Sequence, residues 1–127
     1  MALAVELVSP ERILWSGEAE MVVARTTDGD IAFLTGHAPF IGALGIGAVT
    51  IQEVGGTQTK VAVHGGFVEV SGNKVTILSD VAELATDIDR SRAQAALDRA
   101  EAAYRAEATP ENESAVRRAR LRLDLAA

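Results

Sequence analysis

Val63 to Ala93 reads VHGGFVEVSGNKVTILSDVAELATDIDRSRA, and the fold turns on this stretch. Phe67-Val68-Glu69-Val70 and Val75-Thr76-Ile77-Leu78 each alternate with the period of a strand. Between them Ser71-Gly72-Asn73-Lys74 supplies residues that tolerate positive φ, the chemistry of a tight hairpin turn. Gly65-Gly66 hinges the strand that precedes it, and Ala82 to Leu84 makes a short further strand. After Leu84 the grammar changes. All eleven glycines lie at or before Gly72, whereas Ala and Arg dominate from Ala93 to Ala127. The chain is therefore α+β in sequence order: a β-sandwich over residues 1–85, followed by an antiparallel two-helix hairpin over residues 86–127.

Upstream of that stretch the chain is a series of short alternating runs punctuated by glycine or proline. Leu3, Val5 and Leu7 share one face, and Pro10 ends the run because proline cannot donate to a ladder. Met21 and Val23 alternate within Glu18 to Thr26 before Asp28-Gly29-Asp30 turns the chain. Ile31 to Leu34, Phe40 to Leu44 and Ala48 to Glu53 come next, with Val49 and Ile51 on one side. Gly55-Gly56 then turns into Thr57 to Val63. With the hairpin and Ala82 to Leu84 this makes roughly nine short strands, the spacing of a sandwich or flattened barrel.

Downstream, Asp87 or Asp89 can cap a first helix by accepting from the free amides of its first turn. Ala93, Ala96, Leu97, Ala100, Ala103 and Tyr104 recur at helical spacing. Thr109-Pro110 stops this helix and starts a second one, Thr109 as cap and Pro110 in the first turn, where a missing N–H does no harm. Val116, Ala119 and Leu123 carry the second stripe. Helices of about 18 and 15 residues would be roughly 27 and 22 Å long. Their interface is mainly alanine, and isolated helices this short are marginal in water. The tail is expected to be ordered but weakly held, which is the profile of a movable element.

Composition narrows the function. The chain has 127 residues, 48% of them hydrophobic, enough for one small domain with an appendage. It has no cysteine, which excludes disulfides, thiol catalysis and thiolate metal sites. No apolar run approaches the ~20 residues needed to cross a bilayer, so direct membrane insertion is not expected. The start, Met1-Ala2-Leu3-Ala4-Val5-Glu6, lacks the basic stretch of a secretory signal, and a cytosolic protein is expected. Residues 1–85 hold ten acids and four bases, whereas residues 86–127 hold eight acids and eight arginines. An acidic main domain argues against nucleic-acid binding, which needs a basic surface. Arg117, Arg118, Arg120 and Arg122 bunch near the end as a cationic stripe, a pattern that solvated helix charges also produce.

Catalytic chemistry finds little support. His37 lies in the turn Thr35-Gly36-His37-Ala38-Pro39 and His64 at a strand end before Gly65-Gly66, with no metal-ligand spacing between them. No nucleophile elbow or triad is evident, so no catalytic residue and no metal site is expected. Gly42, Gly45 and Gly47 lack the Lys-Ser/Thr of a phosphate loop and read as turns. At the helix start, Asp89, Arg92 and Arg99 fall close to one face. Two readings stand side by side: arginines clamping a phosphate beside an orienting carboxylate, or a capped helix with a local Asp–Arg pair.

Several blocks together carry a family resemblance. Val8-Ser9-Pro10-Glu11-Arg12 with Trp15-Ser16-Gly17-Glu18-Ala19, Gly29 to Pro39, the Gly65 to Leu78 hairpin, and Ala82-Glu83 followed by Ile88-Asp89 through Ala93 occur in order and at fitting distances. The chain resembles the epsilon subunit of the rotary F-type ATP synthase over nearly its whole length. The wording of Trp15 to Ala19 and of Arg25-Thr26-Thr27 is similar to actinobacterial members. Ala32 departs from the pattern, standing where the family usually has glycine.

The resemblance implies a β-sandwich of about ten strands plus two C-terminal helices, in a non-catalytic subunit of the central stalk. It implies the gamma subunit, the c-ring and the beta and alpha catalytic subunits as partners, at the cytoplasmic face of the plasma membrane. It places Asp28, Gly29, Asp30 and His37 in loops facing the c-ring. The helical hairpin would either fold on the sandwich or extend along gamma to restrain ATP hydrolysis, with Arg117, Arg118, Arg120 and Arg122 as contacts to the catalytic subunits. No cofactor is required. ATP is implied as a regulatory ligand of the hairpin through the family's I-D-x-x-R-A motif, matched here by Ile88, Asp89, Arg92 and Ala93, with Glu83 and Arg99 as partners by position. A free-standing nucleotide sensor and a small metalloenzyme using His37 or His64 are the rival classes.

Overall fold

Alternating apolar side chains build seven strands in the computed structural model, which describes residues 2–126. They are β1 (Leu3–Val8), β2 (Ile13–Thr26), β3 (Gly29–Leu34), β4 (Phe40–Glu53), β5 (Gln58–Ser71), β6 (Lys74–Leu78) and β7 (Ala82–Leu84). A single 3-10 turn, Ala85–Asp87, leads to α1 (Arg90–Ala106) and α2 (Pro110–Leu125). The strands pair in the order β1-β6-β5-β4-β2-β3, and β7 pairs with β5. Because β1 also pairs with β2, the sheet closes on itself as a barrel-like sandwich without a free edge at β1. The chain divides after Leu84 into two compact units.

The strand count corrects the expectation of nine runs and of a ten-strand sandwich. Phe40 to Leu44 and Ala48 to Glu53 are one 14-residue strand, as are Gln58 to Val63 and Phe67 to Val70. The glycines between them were expected to turn the chain, yet they lie inside strands. Gly42 and Gly47 stay extended and make room for neighbours: a Cβ on Gly42 would press on the Phe40 ring, and one on Gly47 on the Arg25 stem. Gly66, at φ +134°, bends β5 so tightly that a Cβ would collide with the Leu78 carbonyl. Gly47 and Gly66 let neighbouring strands pass closely, and Gly42 makes room for a ring of its own strand.

The core is aliphatic around one ring. Phe33 is fully buried with Leu3, Leu7, Ile51, Ile77, Val22 and Val49. The inward faces of β1, the second half of β4, and the β5–β6 hairpin are those the alternation indicated. In β2 the inward residues are Val22 and Ala24, not Met21 and Val23. The register explains the exchange: β2 slips against β4 between Ala19 and Met21, and one extra residue moves the alternation by one. In the Ser71 to Lys74 turn, Gly72 and Asn73 have φ of +57° and +60°, the double positive φ of a type I′ turn.

The second unit is an antiparallel helical hairpin. Asp89, rather than Asp87, caps α1, accepting from the Arg92 N–H at 3.0 Å. Thr109 caps α2 through the Asn112 N–H at 3.1 Å, with Pro110 as first residue. Buried positions are few and, Leu97 apart, small: Ala93 and Leu97 in α1, Ala119 in α2 and Ala126 just after it. The outer half of the expected α1 stripe, Ala103 and Tyr104, is exposed.

Candidate functional site

The outer face of the sheet carries a row of apolar residues that strand pairing places side by side. Ile13 of β2 pairs with Val8 of β1, Val8 with Leu78 of β6, Leu78 with Phe67 of β5, and Phe67 with Ala43 of β4. Ile13 is 59% exposed, Phe67 60% and Leu78 44%. Four strand gaps make the row about 19 Å long. The next row across the same strands is polar: Ser16, Glu6, Thr76 and Glu69, ending at the exposed Ile41. Lys74 neutralises Glu6 at 3.6 Å. An apolar band with an acidic margin is the anatomy of a protein-binding surface.

The expected c-ring residues separate into two groups. Asp28 lies with Thr27 in the β2–β3 turn, Gly29 opens β3, and Asp30 on β3 receives a two-pronged hydrogen bond from Arg25, at 2.9 and 3.3 Å. That hydrogen bond holds the Asp30 carboxyl below the usual carboxylate range and raises the Arg25 guanidinium. His37 lies beyond the other end of β3, about 17 Å away along the strand. Its Nδ1 is 2.7 Å from Ala38 O, and its ring stands edge-on to Phe33 at 5.0 Å. The structure therefore does not bring Asp28, Gly29 and Asp30 together with His37.

His64 is inside β5, correcting its expected place at a strand end. Its side chain is 2% exposed, and Nε2 lies 3.5 Å from the Glu83 carboxylate on β7. Glu83 is thus engaged within the sandwich. Ser79 was not singled out from the sequence, yet it is fully buried, with Oγ 2.6 Å from Gly65 O and 3.0 Å from Val81 O. It ties the glycine bend in β5 to the β6–β7 link. No sequence pattern marks a serine for that role.

In the hairpin, Ile88, Asp89, Arg92 and Ala93 gather around the first turn of α1. Ala93 is buried, Arg92 exposed, and the Asp89 carboxylate serves as the cap. Arg99 follows Arg92 by two turns, about 10 Å along the helix, and is also exposed. The four arginines of α2 do not form one stripe. Arg117 and Arg120 are exposed, and Arg120 pairs with Glu101 at 3.4 Å, whereas Arg118 and Arg122 are half-buried on another side. Among the described residues no three His, Cys, Asp or Glu side chains converge as a metal site. No helix among them is long and apolar enough to cross a membrane.

Fold and surface together define a β-sandwich interaction module that carries a helical arm. A family model described as "ATP synthase, Delta/Epsilon chain, beta-sandwich domain" matches residues 2–85. An ATP synthase epsilon chain from Streptomyces avermitilis is 49% identical over 115 residues, 91% of this chain and 91% of that one. Another from Streptomyces coelicolor is 46% identical over 125 residues, 98% of this chain and 95% of that one. A chain in the Euglena gracilis mitochondrial ATP synthase structure (OSCP/F1/c-ring) matches with TM-score 0.74 at 22% identity, over 97% of this chain and 76% of that one, a likeness of fold. The chain belongs to the ATP synthase epsilon-chain family, a family of non-catalytic central-stalk subunits.

Proposed function

We propose that this chain turns with the rotor of a proton-translocating ATP synthase, its sandwich bound to the gamma subunit and touching the c-ring. Its place is then peripheral, at the cytoplasmic face of the plasma membrane. The observation that carries this reading is the row Ile13, Val8, Leu78, Phe67 and Ala43, exposed except at the half-buried Val8, an apolar band that a stalk partner would cover. Phe67→Asp combined with Leu78→Asp should abolish stoichiometric capture of gamma while leaving the sandwich folded, because both side chains are exposed. Capture at the wild-type level would place gamma elsewhere. The c-ring contact is proposed for each end of β3 separately, and Asp28→Ala and His37→Ala compared in proton-coupled synthesis should tell which end faces the ring.

The helical hairpin is proposed as the arm that restrains ATP hydrolysis at the catalytic beta and alpha subunits, with the exposed Arg117 and Arg120 as the first contacts and Arg118 and Arg122 beside them. Removing residues 85–127 should raise ATPase activity of the reconstituted enzyme, and unchanged activity would rule the arm out. ATP is proposed as a regulatory ligand at the start of α1, where Ile88, Asp89, Arg92 and Ala93 gather and Arg99 follows. Asp89→Ala removes a helix cap as well as a ligand. Calorimetry on Arg92→Ala and Arg99→Ala is therefore the cleaner test: weaker ATP binding than wild type supports the site, and equal heats exclude it.

A further inference from the structure

The hairpin is bridged by polar side chains at three levels. At its tip, Asn112 Nδ2 donates to Glu107 O at 2.8 Å and Ala103 O at 3.3 Å, closing the end of α1. Midway, Arg120 meets Glu101 at 3.4 Å. At the open end, Arg90 Nη1 reaches Leu123 O and Ala126 O, both at 3.4 Å. Those two carbonyls belong to the last turn of α2 and its cap, where the helix leaves acceptors without intrahelical donors.

Arg90 has the wrong sign for its own helix. It is the first residue of α1, where the macrodipole is positive, and beyond the Asp89 cap α1 has no acidic residue in its first turn. In α2 the arrangement is the ordinary one, with Glu111 and Glu113 in the first turn. The charge of Arg90 is thus unfavourable toward α1 and favourable toward the negative end of α2, which the antiparallel packing places beside it. Only the closed hairpin offers that second term. A group that interacts differently with two states shifts the balance between them by that difference, and by nothing else.

We infer that Arg90 is a latch that holds α2 closed against α1, working against a hinge at residues 107–109 that Asn112 pins. If α2 swings about the hinge, the Asn112 bond to Glu107 can persist, whereas the Arg90 contacts cannot. The interaction of Arg90 with the start of α1 is the same in both states, so only its contacts with α2 enter the difference. The exposed Arg120–Glu101 pair lacks this asymmetry and contributes little. The latch itself does not depend on the proposed role in the synthase, but its regulatory consequence does.

The chain contains no cysteine, so Ser91→Cys with Asp124→Cys gives a clean pair of label positions in the full chain. Spin-label distances across that pair report the open fraction, and far-UV circular dichroism reports helicity. Arg90→Glu should raise the ratio of open to closed hairpin about 5- to 10-fold, with helicity equal to or above wild type, since a carboxylate suits the start of α1. Arg120→Ala should change the ratio less than about 2-fold. An Arg90→Glu distribution that superimposes on wild type would overturn the latch. So would an equal shift in both variants. Should Arg90→Glu lose helicity, Arg90→Gln decides: an intermediate open fraction supports the latch, and a wild-type one removes it. In the reconstituted enzyme, Arg90→Glu should deepen inhibition of hydrolysis. A shifted distance distribution with unchanged ATPase activity upholds the latch and counts against the inhibitory arm.

Discussion

The two units bury their apolar surface in opposite ways. The sandwich closes a sheet around Phe33, Leu3, Leu7, Ile51 and Ile77, side chains that each contribute about 1.5–3 kcal/mol when fully buried. The hairpin buries Ala93, Leu97, Ala119 and Ala126, and an alanine methyl contributes only about 0.8 kcal/mol. Polar end groups hold the hairpin in compensation: Asp89 and Thr109 as caps, Asn112 at the tip and Arg90 at the open end. A structure held by many large nonlocal contacts resists any single change. One held by a few polar bonds can be switched by altering one of them, which suits the first unit to be a platform and the second to be an arm.

That contrast can be broken experimentally. Phe33→Ala should lower the stability of the sandwich by about 3–5 kcal/mol, read from urea unfolding of a chain ending at residue 84. A loss no larger than that of a hairpin substitution would undo the comparison. Gly66→Ala should follow at about 2–4 kcal/mol, from positive φ and the Leu78 carbonyl together. If it is tolerated, the bend in β5 is not held by that close approach. Thr109→Ala removes the α2 cap and should cost about 1 kcal/mol of hairpin stability, with hydrogen exchange quickening in α2 while the sandwich amides stay protected. Exchange quickening in both units alike would show that they do not differ in the way argued.

The smallest effect belongs to Asp30. Its folded-state pKa is lowered, so its contribution is present above the unfolded value of about 3.9 and fades as pH falls through the folded value. The side chain is exposed, and the change should be visible mainly as a shift in its own NMR titration. Arg25→Ala should bring that titration back to the ordinary range; an unmoved midpoint would assign the shift to another cause.

Local chemistry made much of this legible in advance. Gly72-Asn73 tolerates two positive φ values, Asp89 and Thr109 can satisfy free amides, and Pro110 sits where no N–H is needed, so those boundaries follow from residue types alone. Glycine is where reading from sequence miscounted. Gly42, Gly45 and Gly47 in β4 and Gly65-Gly66 in β5 look like breaks between strands, because glycine serves both a turn and a close packing contact. Only the neighbour decides which: Phe40 crowds Gly42, the Arg25 stem Gly47 and the Leu78 carbonyl Gly66, while Gly45 has open space beside it. The slip in β2 that sends Val22 inward depends in the same way on the partner strand.

By itself, then, the amino-acid order determined the change from sheet to helix after Leu84, the hairpin turn, the helix caps, the acidic platform and the family. Each of these rests on the conformational range of one residue or on a short period along the chain. Tertiary structure alone decided that the strands number seven, that Ile13, Val8, Leu78, Phe67 and Ala43 meet in one row on the outer face, and that Arg90 closes onto α2. Those facts depend on register and on which ends are brought together across long separations in sequence, and no local preference encodes such distances.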